Sequence, residues 1–426
     1  MADMQALLGK AEAGDAAAQY AVGNAHHFGV GVPANLPLAM RWYLKAAAQG
    51  HIDAQVNLGI LFIHDLALAG GSRNPGQARY WFGRAAEQGD GQAMAYIARI
   101  YLDGDGAPAD PAQACEWLRR AGEAGHAEAY NELGVLLGSN RLGGPDPATA
   151  AAAFDRGARL GDMRAQFNLA NCYLAGAGVE AVPALAIQWY RAAADQGLGN
   201  AQYRLAMLLF SGLAGVEPDP ASALKWLAKA ADRGVCEAQY ELARRLRHGE
   251  GLARDPLQAM HYYHEAADQG HEAAMFSLAL MLESGTGLDR PYPERAARWY
   301  RQLAQQHRHG GAAHNLGILY AQGKGVPTDA ETSRQLFEFA ISLGAHEAMH
   351  SLALLLARGA GVPQDLVEAA KWAILGLRSD PRGDARKLLD RLAAHLPPDR
   401  LAQAQARAAT WRPQPTSVEW AKVVTA

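Results

Sequence analysis

The stretch Ala165-Gln166-Phe167-Asn168-Leu169-Ala170-Asn171-Cys172-Tyr173-Leu174-Ala175-Gly176-Ala177-Gly178-Val179 decides the fold. Ala165, Leu169 and Ala170 recur at helical spacing, which places small and apolar side chains on one face of a helix. Gly176-Ala177-Gly178 then reads as a left-handed cap followed by a turn. Outward from it, Trp189-Tyr190 and Ala193-Ala194 repeat the amphipathic pattern in a second helix, and Gly197 opens the next copy. We term the two helices A and B.

The unit recurs along the chain. Gly14, Gly50, Gly89, Gly125, Gly161, Gly197, Gly234, Gly270 and Gly344 mark a period of 36–39 residues, with two copies inside the last interval. Ten helical hairpins are therefore expected over 14–380. In every copy a small residue follows the central apolar one, as in Gly23, Gly59, Ala98, Gly134, Ala170, Ala206, Ala243, Ala279, Gly317 and Ala353. Small residues in that place let one helix approach another closely. One hairpin cannot bury its own apolar face, so neighbours must stack and the ends need caps. Residues 1–13 supply a short helix at one end, and 381–411 supply two helices at the other. The expectation is an all-α solenoid without a sharp boundary, with 306–311 the place where it would divide.

The units AQVNLGILF (54–62), AQFNLANCYLAGAGV (165–179), HNLGILYAQGKGVPTD (314–329) and WYLKAAAQGH (42–51) resemble the Sel-one-like repeat (SLR) family, a branch of the tetratricopeptide superfamily. The resemblance covers most of the chain and implies a right-handed α-superhelix with A helices inside, used mainly as a scaffold for protein–protein contact. LPPDRLAQAQARAATWRP also looks like the closing helix of many bacterial members. Repeat 4 departs, with Ala153-Phe154 where Trp-Tyr is usual, and 65–76, 139–147 and 211–219 break the pattern.

Composition narrows the function. The 426 residues carry a net charge of −3 and are half hydrophobic, which excludes disorder as the dominant state and argues against a nucleic-acid binder. Three cysteines lie far apart without a CxxC, so a disulfide framework or zinc site is not expected and a reducing compartment fits. The N-terminal residues hold acids and no apolar run of signal-peptide length, and no stretch reaches the roughly 18 apolar residues of a membrane span. A cytoplasmic location is the expectation. Gly-x-Gly recurs after the first helix of a unit, from Gly29-Val30-Gly31 to Gly359-Ala360-Gly361, whereas a phosphate-cradling loop follows a strand and opens a helix. His261 and His264, and His307, His309 and His314, lack a complete metal-ligand pattern, and no GxSxG or cysteine signature marks a nucleophile. No metal, cofactor or catalytic residue is expected.

A binding function would use the inner face. By analogy with tetratricopeptide helices, repeats 5 to 8 direct Phe167, Asn171 and Leu174; Tyr203, Met207 and Phe210; Tyr240, Arg244 and Arg247; and Phe276, Leu280 and Glu283 inward. Four aromatics in register with an arginine pair would suit an extended or helical peptide bearing an acidic group. The same aromatics also suit packing between neighbouring A helices. Asn24 and Asn171 resemble the place where peptide-clamping tetratricopeptide domains grip a backbone or carboxylate. Residues 412–426 leave the repeat as an extended tail, either a frayed terminus or a strap that packs Trp420 on the solenoid. The leading expectation is a non-catalytic adaptor holding a protein or peptide on its concave face. A cell-envelope scaffold in exopolysaccharide or cell-wall processes, an enzyme with an unrecognised site, and self-association are the alternatives.

Overall fold

The structure, a computed structural model, describes residues 2–63, 73–212, 217–377 and 383–414, with 416, 418, 420 and 423. Every regular element among the described residues is helical. The chain groups into two compact units, Met1–Asp219 and Pro220–Ala426, each built of successive hairpins.

In the first unit, α1 (Ala2–Glu12) packs on α2 (Ala16–Phe28). Hairpins pair α2 with α3 (Leu36–Ala48), α4 (Ile52–Ile63) with α5 (Pro75–Ala86), and α6 (Gly91–Asp103) with α7 (Pro111–Glu123). Then α8 (Ala127–Leu137) pairs with α9 (Pro147–Arg159), α10 (Met163–Ala175) pairs with α11 (Pro183–Asp195), and α12 (Gly199–Ser211) follows. The second unit opens with α13 (Pro220–Asp232). Its hairpins join α14 (Cys236–His248) to α15 (Pro256–Asp268), α16 (Glu272–Ser284) to α17 (Pro293–Gln306), α18 (Gly310–Gln322) to α19 (Ala330–Ser342), and α20 (Glu347–Arg358) to α21 (Leu366–Gly376). Helices α22 (Asp384–His395) and α23 (Pro398–Thr410) both pack on α21. Even-numbered helices from α2 to α20 are the A helices of the repeat.

Local chemistry sets the helix ends. Asp162 caps α10 by accepting the Ala165 N–H at 2.6 Å, and Asp146 caps α9 ahead of Pro147 at the first helical position. The Gly-x-Gly pairs are turn chemistry, as expected. Gly176 closes α10 at φ 69° with its N–H on the Cys172 carbonyl, and Gly178, at φ 75°, lies directly against the Pro147 carbonyl of the preceding hairpin. A side chain at 178 has no room there.

In several repeats the small position of the A helix faces a ring from its B helix, as Gly23 faces Tyr43 and Gly59 faces Phe82. A Cβ at Gly317 would come within 2.7 Å of the Phe337 ring, and one at Gly134 within 2.5 Å of Phe154. Phe154 thus fills the ring position in repeat 4, which remains a hairpin despite its departure from the pattern. Ala165, Leu169, Ala170 and Tyr190 are buried in the same way one repeat on. On the B helices, Lys45, Arg120 and Lys229 each lie 4.2 Å over the ring of a tryptophan three residues earlier.

The two units meet in sequence at Asp219 and Pro220, and α17 and α18, which flank 306–311, pack on each other. Arg308 stands where other repeats have their linking glycine and takes φ 52°, a left-handed conformation that keeps the connection tight.

The tail lies on the second unit. Trp411 meets Trp372 edge-on at 5.4 Å, and Trp420 meets Phe339 edge-on at 5.8 Å. Arg301 donates to the Trp420 carbonyl at 3.2 Å, and Val418 and Val423 are buried. For these described residues, the strap reading of the tail holds.

Candidate functional site

The residues selected from the sequence fall on A helices of both units. In the first unit, Phe167, Asn171, Tyr203, Met207 and Phe210 are all half-buried. Phe167 packs edge-on against Tyr190 of its own hairpin at 5.6 Å, and Asn171 accepts the Tyr190 hydroxyl at 2.6 Å. Tyr43 and Asn24 make the same bond at 2.6 Å. The two asparagines therefore secure a B-helix tyrosine whose burial pushes its pKa up.

In the second unit the aromatics bridge successive repeats. Tyr240 lies 5.8 Å from Tyr263 and stacks on His271, the residue before the next A helix, at 4.5 Å. Phe276 lies 5.9 Å from Tyr300 and 4.8 Å from His309 in the same arrangement. Glu283 accepts the Tyr300 hydroxyl at 2.7 Å. Each ring thus packs between neighbours on one edge and keeps part of its surface open.

The arginine patch is less basic than its sequence. Arg244 makes a two-pronged contact with Glu241 at 2.9 and 3.0 Å and a further one with Glu250 at 2.7 Å, while Arg245 reaches Glu241 at 2.8 Å. These bonds hold the Arg244 guanidinium well above its ordinary pKa, the Glu241 pair contributing most. Burial pushes the Glu241 carboxyl up, but Arg244 and Arg245 together bring it below its usual range. Arg247 lies beside the Tyr263 hydroxyl and is the arginine of the pair that carries no carboxylate contact among those described.

Sequence reading missed a glutamine relay. Gln166 donates to the Ala158 carbonyl at the end of the preceding B helix at 3.2 Å and accepts from Gln196 at 2.8 Å. Gln19 with Gln49, Gln55 with Gln88, and Gln239 with Gln269 repeat it at 2.7–2.9 Å. The signal was present as Ala-Gln early in an A helix and Gln-Gly after a B helix. In repeat 6 the sequence has Arg233 before Gly234, and the buried Gln202 oxygen lacks a hydrogen bond.

The histidines serve separate ends. His261 and His264 pair along α15 with Glu265 and Asp268 at 3.5 and 3.0 Å. His307 reaches Glu272 at 3.0 Å, His309 caps α18 through the Ala312 N–H at 3.0 Å, and His314 lies 2.9 Å from the Ser351 hydroxyl. Among the described residues, no cluster of three histidine, cysteine or acidic side chains has metal-binding geometry. The three cysteines are free and half-buried, and burial pushes their thiols up, the opposite of an activated nucleophile. No described helix is long and apolar enough to cross a membrane.

Comparison with known proteins agrees with this architecture. The Sel1 repeat profile matches nine segments: 16–51, 52–90, 91–126, 164–198, 199–235, 236–271, 272–307, 311–344 and 346–379. The hairpin it passes over is repeat 4, α8 with α9. A solved Sel1 repeat protein from Oxalobacter formigenes is 29% identical, with 75% of this chain and 91% of that one covered and a TM-score of 0.60. The structure of c5321, a protective antigen present in uropathogenic Escherichia coli strains displaying an SLR fold, is 28% identical over 95% of this chain and 93% of that one, with a TM-score of 0.54. The curated protein sequences contain no match. With nine matched repeats, a hairpin in the tenth place and the same fold in both solved relatives, the chain belongs to the Sel1 repeat family, whose fold typically serves as a protein-interaction scaffold.

Proposed function

We propose that this chain is a non-catalytic adaptor that holds a protein or peptide partner on the face formed by its A helices, concave in the expected superhelix. The observation that carries the proposal is the register of half-exposed rings on that face: Phe167 and Tyr203 in one unit, Tyr240 and Phe276 in the other. Such rings provide contact area at low entropic cost because packing already fixes one edge. Arg247 is the better placed of the two arginines to meet a carboxylate, since Arg244 would first have to give up Glu250. A reducing compartment such as the cytoplasm suits three free cysteines with raised thiol pKa values.

The test is affinity capture from the native host's lysate, with wild type beside Phe167→Ser and Arg247→Glu. Both positions are half-buried or more open, so neither change empties the core. A protein retained by the wild type and lost with either variant supports the adaptor. Equal retention by all three removes this face from the site. A second reading, an envelope scaffold, draws support from c5321, a protective antigen with which this chain shares 28% identity. Fractionation of host cells separates the two locations.

A further inference from the structure

A cavity of about 180 Å³ opens on the A-helix face of the first unit, with Arg164 one helical turn before Phe167 on α10. Three successive A helices build it. Helix α6 contributes Gln92, Tyr96 and Arg99, helix α8 contributes Glu128 and Glu132 with His126 at its N-cap, and α10 contributes Arg164. The Tyr96 ring is fixed in place by stacking on Phe82 at 4.7 Å with planes 8° apart. The charges run positive, negative, positive across the helices. Arg99, Glu128 and Arg164 are exposed and Glu132 is half-buried, and none of the four forms an ion pair with another described residue, whereas Arg119 pairs with Glu116 and Glu123.

We infer that this cavity binds a small zwitterion of the α-amino acid class. A simple anion drawn by Arg99 and Arg164 would face Glu128 and Glu132, and a simple cation would face the arginines. A ligand carrying a carboxylate and an ammonium a few bonds apart satisfies both signs at once. Arginine gives the carboxylate two parallel hydrogen bonds, the glutamates receive the ammonium, and the Tyr96 face lies beside them for the ligand's side chain. The volume agrees, since it lies below the roughly 300–1,000 Å³ typical of drug-sized ligands. This inference stands independently of the adaptor proposal, because it concerns other residues and a different ligand.

Isothermal titration calorimetry of the full chain with the free L-amino acids at millimolar concentration tests it. N-acetyl and C-amide derivatives serve as arms that remove one charge each. The expected result is saturable binding of at least one free amino acid in the micromolar to millimolar range. Blocking either end should weaken it by about ten- to a hundredfold, and so should Arg99→Gln or Glu132→Gln, as expected for loss of a charged hydrogen-bond partner. Both side chains make no described internal contact, and circular dichroism checks that the variants remain folded. The inference is overturned if no amino acid binds, if a blocked derivative binds as well as the parent, or if both variants bind as well as the wild type.

Discussion

The glutamine relay should couple neighbouring hairpins by a measurable amount, and Gln166 with Gln196 is the pair to test. Gln166 is 6% exposed and makes two hydrogen bonds, to the Ala158 carbonyl at 3.2 Å and from Gln196 at 2.8 Å. Each is worth about 0.5–1.5 kcal/mol net. The Ala158 carbonyl still accepts the Gly161 N–H at 3.1 Å, so Gln166→Ala does not strand it. Loss of two bonds and the space left by the side chain together predict a cost of about 2–4 kcal/mol. Gln196 is exposed and also reaches the Gly161 carbonyl at 3.0 Å. Its replacement by alanine leaves the buried Gln166 oxygen without a donor, a cost of about 1–2 kcal/mol. In the double variant that oxygen is gone, so the two costs should fall short of additive by about 1 kcal/mol. Urea unfolding followed by circular dichroism measures the cycle. Hydrogen exchange at the α10 amides is the local readout, because stacked repeats can unfold in blocks. Additivity within about 0.3 kcal/mol, or a neutral Gln196→Ala, would refute the relay as an energetic link.

Three further outcomes follow from the packing. Gly178→Ala should destabilise the first unit by about 2–4 kcal/mol in urea, because it combines a left-handed φ with a clash on the Pro147 carbonyl. Burial lowers the pKa of His314, with Glu347 opposing and His350 adding to the shift, so the neutral imidazole is favoured in the folded state. The unfolded chain then binds the extra proton first. The contribution is complete above the ordinary histidine pKa and is lost as pH falls through the lowered folded value, so thermal stability should drop on acidification and His314→Gln should reduce that dependence. Trp420→Ala should cost the second unit about 1–3 kcal/mol, read by urea unfolding, if its edge-on contact with Phe339 anchors the tail.

The fold was legible because its core repeats one dimensionally. The alternation of small residue, ring and glycine occurs in almost every copy, and each element answers a local requirement: Gly134 under Phe154, Gly176 at a positive φ, Asp146 before Pro147. Repeat 4 was visible even where a family profile does not match it, since Phe154 preserves the ring while Ala153-Phe154 breaks the word. The face was less legible. Sequence placed Arg244 and Arg247 together as one basic patch, but Glu241 lies three residues before Arg244 on the same helical face and Glu250 folds back from the loop. The first of these is an i, i+3 pair that spacing alone foretells. The second depends on a turn whose course spacing does not specify. The cavity of the first unit escaped notice for a related reason, as its charges come from helices 36 residues or so apart in sequence.

The hydrogen bonds of the A-helix face explain why its chemistry varies within limits. The buried B-helix tyrosines Tyr43, Tyr190, Tyr263 and Tyr300 each have a hydroxyl that needs a partner, and the partner comes from the A helices. Asn24 and Asn171 meet it with an amide, Glu283 with a carboxylate, and Arg247 lies by the Tyr263 hydroxyl with Ser277. These side chains differ in charge while meeting one internal demand, a polar atom for the hydroxyl of a buried tyrosine. Leaving that hydroxyl unsatisfied would cost about 1–3 kcal/mol. A repeat can therefore change the charge it offers outward without disturbing the stack, provided the replacement still reaches the tyrosine. If a partner binds this face as proposed, its specificity would rest on a choice among hydrogen-bonding side chains at fixed positions, and the hairpins keep their fold while the surface they offer differs from one to the next.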